Sequence, residues 1–105
     1  MEKYIPNGYQ IINLGDIDLT TTVTLNDDNS KMLIELFKSN RLYSKPFLIH
    51  LHETNDDIDI TGFAQTYDTY IIMKYISDDI SEIRTITISV TDETVTVYQV
   101  IKLLE

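Results

Sequence analysis

The two histidines of the chain, His50 and His52, are the residues whose type and spacing could support metal binding. Residues at i and i+2 of a strand point to the same face, so both rings would lie together, with Glu53 directly behind them. Imidazoles placed in this way can begin a zinc or iron site, but a third ligand would have to come from Asp57 or Asp59. We expect no metal and no cofactor, with both rings on the more solvated face of the sheet. His50 and His52 are the candidate ligands if a metal binds.

The next stretch carries alternating oxygen side chains at Asn55, Asp57, Asp59 and Thr61, as a calcium-binding loop does. The pattern departs from such a loop at Ile60, which occupies the position where the loop needs glycine. No glutamate follows at the closing distance. We therefore do not predict a calcium site here.

Nucleophilic chemistry has no support in the sequence. The chain has no cysteine and only three glycines, so thiolate catalysis and a glycine-rich phosphate loop are both excluded. Serines and threonines are plentiful, but none lies in a nucleophile-elbow pattern. We expect a protein that is not an enzyme.

The charge balance bears on the class of partner. Seventeen acidic residues against eight basic ones give a formal charge of −9, which repels phosphate backbones and argues against nucleic acid. The acids are spread over expected loops and turns, as a solubilising surface requires. The alternative is that they imitate nucleic acid and dock on a basic protein. No apolar run is long enough to span a membrane and the N-terminus lacks a signal-peptide pattern, so we expect a chain made and kept in a cytoplasm, or assembled from one.

One helix is predicted, over Leu25–Leu42. Its start can be capped by Asn26 or by either of the two aspartates that follow, and basic residues suit its end. Its apolar positions at helical spacing are Met32, Leu33, Leu36 and Phe37. Such a helix is marginal alone and needs a sheet to pack against.

The remaining chain predicts that sheet, since β-branched residues dominate it. Two N-terminal strands are expected over 9–14 and 17–25, separated by a turn at 13–16. Five more are expected, over 47–52, 58–64, 69–76, 84–90 and 95–104. Residues 53–57 are expected to form a turn. The predicted fold class is α+β: one amphipathic helix packed on an antiparallel β-meander of about five strands, plus two N-terminal strands.

Alternation within the last strands predicts which side chains point inward. In the strand over 84–90, Arg84, Ile86, Ile88 and Val90 share one face. In the last strand, Ile101 and Leu103 share the face of Val95 and Val97.

The chain divides into residues 1–8 and a single domain over 9–105. Pro6 and the Asn7–Gly8 pair break regular structure in the first segment, so it is a lead-in that could serve as a docking peptide. Tyr4, Ile5 and Pro6 are its candidate attachment residues.

Seven tyrosines, several on predicted strands, favour a protein interface, because tyrosine offers contact area and a hydrogen bond at low entropic cost. We expect one apolar patch on the sheet face away from the helix. A tyrosine-rich edge of the core is the alternative. The predicted interface residues are Leu48, Tyr70, Ile72, Tyr98 and Val100.

The elements follow one another in this order: the strand ending Asn13-Leu14-Gly15, the threonine-rich strand over 20–25, the helix through 32–37, the segment Lys45-Pro46-Phe47-Leu48-Ile49 and the meander after it. This order resembles a small module of tailed bacteriophages that recurs in head-fibre, tail-fibre and baseplate proteins, those of crAss-like phages among them. The resemblance covers nearly the whole chain and transfers no catalytic residue.

The resemblance implies a non-enzymatic structural protein of the virion, made in the host cytoplasm: a head fibre, a capsid decoration or a tail or baseplate component. Its partners would be itself, as a dimer or trimer, and other virion proteins, attached through residues 1–8. The alternative function is a small acidic inhibitor or immunity-type protein that docks on a basic partner such as a nucleic-acid enzyme.

Overall fold

The computed structural model describes residues 10–39 and 47–104. The predicted arm over 1–8, with Tyr4, Ile5 and Pro6, lies outside the described residues. The described chain forms one helix and eight strands. Their bounds are β1 Gln10–Ile17, β2 Val23–Leu25, α1 Asp28–Lys38, β3 Phe47–Glu53, β4 Ile58–Phe63, β5 Gln65–Thr66, β6 Tyr70–Ile76, β7 Glu82–Val90 and β8 Val95–Leu103.

The strands form two sheets, one with the order β1-β3-β4 and one with the order β2-β8-β7-β6-β5. All pairs are antiparallel except β1 with β3, which run parallel because the helix lies in the connection between them. The predicted α+β class is confirmed. The five predicted meander strands exist, but they are divided between two sheets, and the parallel pair was not predicted.

Each edge strand of one sheet is connected along the chain to an edge strand of the other sheet. The chain crosses at Ala64, between β4 and β5, and again over residues 18–22, between β1 and β2. The strands therefore follow one another around a ring. Side chains directed into this ring form one core with those of the helix.

Gly62 shows how closely the ring is packed, because a Cβ atom there would lie 2.8 Å from Cγ of Met73 and 3.3 Å from the carbonyl oxygen of Lys74. The close approach of β4 to β6 thus requires glycine at this position.

The helix begins as the sequence indicates and is shorter than predicted. Asp27 is the N-cap, and its carboxylate accepts a 2.9 Å hydrogen bond from the N–H of Ser30. The helix ends at Lys38, with Ser39 as its C-cap. Leu33 is fully buried as predicted, whereas Met32 is 38% exposed, and Ile34 packs in the core in its place.

The N-terminal strands differ from the prediction. The expected turn at 13–16 is an irregularity inside one strand, β1, where the register with β3 shifts between Asn13 and Asp16. Gly15 adopts a φ of +75°, which admits the extra residue without ending the strand. The second strand is only Val23–Leu25, because the Asp18 carboxylate binds the N–H and the hydroxyl of Thr20 and turns the chain.

Within the described part of the chain, no helix is both long enough and apolar enough to cross a membrane.

Candidate functional site

His50 and His52 lie on the same face of β3, as their spacing predicts, and both rings are partly exposed. Their neighbours come from the adjacent strand β4, where Thr61 pairs with His50 and Asp59 pairs with His52. Nδ1 of His50 lies 2.8 Å from the hydroxyl of Thr61.

His52 is held between two carboxylates. Its Nδ1 lies 2.9 Å from Oδ1 of Asp59, and its Nε2 lies 2.9 Å from Oδ1 of Asp57. A ring that donates from both nitrogens is an imidazolium cation. The arrangement raises the pKa of His52 above the ordinary 6.5, first through the hydrogen bond to Asp59 and then through the charges of Asp59, Asp57 and Asp16, against an opposing effect of desolvation.

This geometry bears on the metal question. A metal at His52 would have to displace one of the two carboxylates from a ring nitrogen. Among the residues over 10–39 and 47–104, no group of three or more His, Cys, Asp or Glu side chains is arranged to hold a metal ion. The histidines and the aspartates instead form an ion-paired cluster on the surface of the three-stranded sheet.

The His52 cluster predicts a pH-dependent stability. Since the folded-state pKa is raised above 6.5, the ion pairs stabilise the fold fully below that pH and are lost as the pH rises through the raised pKa. We expect His52→Gln to be less stable than wild type at acidic pH, with the difference shrinking above neutral pH. Urea unfolding of both proteins at a series of pH values measures it. A difference that grows with pH would contradict the assignment, and Asp59→Asn, which should lower the pKa of His52 in an NMR titration, is the control.

A second polar cluster lies inside the ring and was missed in the sequence. Glu53 was expected in a turn, but it is the last residue of β3 and is completely buried. Its carboxylate accepts hydrogen bonds from the N–H groups of Leu19 at 2.8 Å, Asp56 at 2.8 Å and Asn55 at 3.1 Å. The buried carboxylate thereby organises the 54–57 turn and the crossing segment over 18–22.

Arg84 supplies the positive charge of this cluster. Its side chain is 3% exposed and lies 4.0 Å from Glu53, 2.7 Å from Asp56 and 3.0 Å from Glu82. Burial opposes the charge on Arg84, but the hydrogen bonds that it donates to Asp56 and Glu82, together with the negative charges of these two residues, outweigh this effect and raise its pKa. Gln99 completes the network, because it accepts from Arg84 and donates to the carbonyl of Leu19, both at 3.3 Å. The network joins the two sheets just after the end of β1, where the chain crosses toward β2.

One signal in the sequence pointed to this network. Arg84 occupies an inward position in line with Ile86, Ile88 and Val90, as predicted. A charged side chain at such a position requires a buried partner of opposite sign.

The predicted interface residues are only partly brought together. Tyr70, Ile72, Tyr98 and Val100 all point outward from the five-stranded sheet, and Ile72 and Tyr98 flank Thr87 in one cross-strand row. Leu48 lies on the other sheet and is 5% exposed, so it does not belong to the predicted patch.

Leu48 is connected to this surface through a residue that the sequence reasoning left out. Phe63 is its cross-strand neighbour and is 54% exposed. Phe63 also lines a cleft with Gln65, Ile72 and Lys74, where the chain passes between the sheets. Because the Leu48 side chain is covered, it supports Phe63 and offers little surface to a partner.

The outward positions of β6, β7 and β8, which we call the outer face, have an unusual composition. Not one of them is Asp or Glu on these described strands, although the chain carries 17 acids, and the two charges present are both lysines. The outer face consists of Tyr70, Ile72, Lys74, Ile76, Ile83, Thr85, Thr87, Ser89, Thr96, Tyr98, Val100 and Lys102.

The tyrosines on this side have distinct surroundings. The ring of Tyr70 stacks on Tyr67, with centroids 4.8 Å apart, so it is anchored at the edge of the sheet. Tyr98 lies 40% exposed on β8, beside Val100, which is 59% exposed. The exposed apolar area is therefore greatest toward β8.

Comparison with protein-family models, with curated proteins and with solved structures finds no match for this chain.

Proposed function

We propose that this chain is a non-enzymatic structural protein of a phage virion that acts by packing its outer face against other protein subunits, including further copies of itself. The observation that carries the protein-binding part is the outer face: an apolar and hydroxyl-bearing surface without carboxylates, on a chain of charge −9. The virion as its setting rests on the resemblance of the element order to phage modules.

The physical argument starts from the distribution of charge. Two copies that approach through their acidic turns repel one another, whereas copies that approach through the outer face bring no carboxylates together there. Tyr98, Val100 and Ile76 offer apolar area that is released from water on contact. The hydroxyls of the outward tyrosines and threonines can form hydrogen bonds across such an interface.

The test is the self-association of a Tyr98→Asp variant, measured by light scattering over a range of protein concentrations. A carboxylate at this position would be desolvated in the interface. We therefore expect the free energy of association to weaken by about 2 kcal/mol or more, which raises the dissociation constant at least about thirtyfold. Met32→Asp is the matched control, because Met32 is 38% exposed on the helix, against 40% for Tyr98. Equal association of the two variants would overturn the role of the outer face.

A second candidate function, the acidic inhibitor that docks on a basic partner, is favoured by one observation. Asp57 and Asp59 are 88% and 64% exposed at one end of the three-stranded sheet, near Asp16. Binding through these carboxylates would weaken steeply as salt screens the charges, whereas association through the outer face would persist.

A further inference from the structure

The last strand, β8, has an edge that is only partly paired. On that side, β2 pairs with Val95, Thr96 and Val97, and no other strand in the described part of the chain pairs with residues 98–103. Unpaired strand edges present backbone donors and acceptors to any strand that can approach.

The hydrogen bonds of the β7–β8 hairpin show which residues face this edge. The N–H of Thr91 donates to Thr94, and the N–H of Leu104 donates to Ser81, so even-numbered residues of β8 form the hydrogen-bonded pairs with β7. Bonded and non-bonded pairs alternate along an antiparallel ladder. Gln99, Ile101 and Leu103 therefore direct their backbone N–H and C=O groups toward the open edge.

Most of the exposed side chains along this edge are apolar, on both faces of the sheet. Val100 is 59% exposed on the outer face, and Ile101 and Leu103, on the inner face, are 41% and 75% exposed. Lys102 is the single charged residue between Val95 and Leu104. Apart from Lys102, the open edge thus lacks the charged side chains and the proline that commonly protect one.

We propose that the open edge of β8 pairs antiparallel with β8 of a second copy, with a two-fold axis between the two Ile101 residues. This inference rests on the proposed function, since it names the contact through which copies associate. In this register Gln99 lies opposite the second copy's Leu103, so all three open backbone positions of each strand are used. Lys102 lies opposite Val100, and no like charges meet.

A second copy fits this edge because its own β8 brings no carboxylate to the contact. Any two copies of a chain of charge −9 repel one another, and β8 is a strand without carboxylates along which they can approach. The open stretch also ends where β2 begins to pair, so a second strand aligned on Ile101 stops short of β2. Pairing in this way continues the outer face across both copies. It also places Tyr98 opposite Leu104 of the second copy, so that Tyr98 lies beside the contact.

The first test is Ile101→Pro in the full chain. Proline removes the N–H next to the two-fold axis but none of the hydrogen bonds to β7, because the N–H of residue 101 faces the open edge. We expect a monomer in light scattering with an unchanged circular dichroism spectrum. A dimer that survives this substitution overturns the edge pairing, and if Tyr98→Asp dissociates that dimer, the proposed function stands. A monomeric wild type overturns both.

The second test uses the absence of cysteine from the chain. Opposed residues of a bonded antiparallel pair have Cα atoms about 5.5 Å apart, within the range that a disulfide spans. With oxidised glutathione as the electron acceptor, Ile101→Cys should form a covalent dimer at least about tenfold faster than Met32→Cys, its control of similar exposure. Lys102→Cys, which lies opposite Val100 in this register, should cross-link more slowly than Ile101→Cys. Equal rates for the three variants would overturn the register.

Discussion

Replacing Arg84 with methionine is expected to lower the free energy of unfolding by about 3 kcal/mol or more. The substitution keeps most of the buried aliphatic volume but leaves the carboxylate of Glu53, which is completely buried, without its nearest cation. Chemical denaturation followed by circular dichroism measures the change. Lys74→Met, on the exposed side of the neighbouring strand, is the control and should cost less than about 0.5 kcal/mol.

A double-mutant cycle separates the charge pair from the rest of the network. Glu53→Leu alone leaves three backbone N–H groups without their acceptor and leaves Arg84 with Asp56 and Glu82. We expect the double variant Arg84→Met/Glu53→Leu to lose less free energy of unfolding than the two single variants lose together. The difference, which is the coupling energy, should be about 0.5–3 kcal/mol. Strict additivity would show that the two side chains act independently.

Truncating Ile49 to alanine is expected to destabilise the fold by about 2–5 kcal/mol. Ile49 is completely buried on β3, the middle strand of the three-stranded sheet, and its side chain lies in the core where both sheets and the helix meet. The close packing of β4 against β6 at Gly62 leaves little room for the neighbours to fill the cavity. The loss is measured by the same denaturation experiment.

Ile76→Ala is the matched control for this truncation, because Ile76 is a strand isoleucine that is 54% exposed. The substitution should lower the free energy of unfolding by well under 1 kcal/mol, since little of the Ile76 surface leaves water on folding. Similar losses for the two variants would contradict the assignment of Ile49 to the core.

Local patterns were sufficient for much of the fold. The cap at Asp27, the shared face of His50 and His52 and the inward position of Arg84 all follow from spacing along a single element. The bulge at Gly15 was interpreted as a turn, because a glycine with positive φ is compatible with both.

The tertiary arrangement could not be read in the same way. The burial of Glu53 depends on Arg84, 31 residues further along the chain and in the other sheet, so a polar stretch that looks like a turn contains a core residue. Leu48 was predicted in the interface because it alternates with inward residues. The strand order places it in the three-stranded sheet, apart from the other predicted interface residues. The crossing of the chain between sheets at Ala64, which brings Phe63 beside Ile72, has no signature in the local sequence.

Among the described residues, no Asp or Glu side chain lies on the outer face or along the open edge of β8. The outer face and the open edge of β8 meet at Tyr98 and Val100, the two residues of the predicted interface that are most exposed. Self-association through this region would bury apolar area that the monomer leaves in water, and it would be largely insensitive to salt.

The mass of the wild-type protein in solution, measured by light scattering at low and at high salt, tests the central claim most directly. The account predicts a dimer or a larger closed assembly that persists at high salt and dissociates when Tyr98 is replaced by aspartate. A protein that is monomeric at both salt concentrations would contradict it.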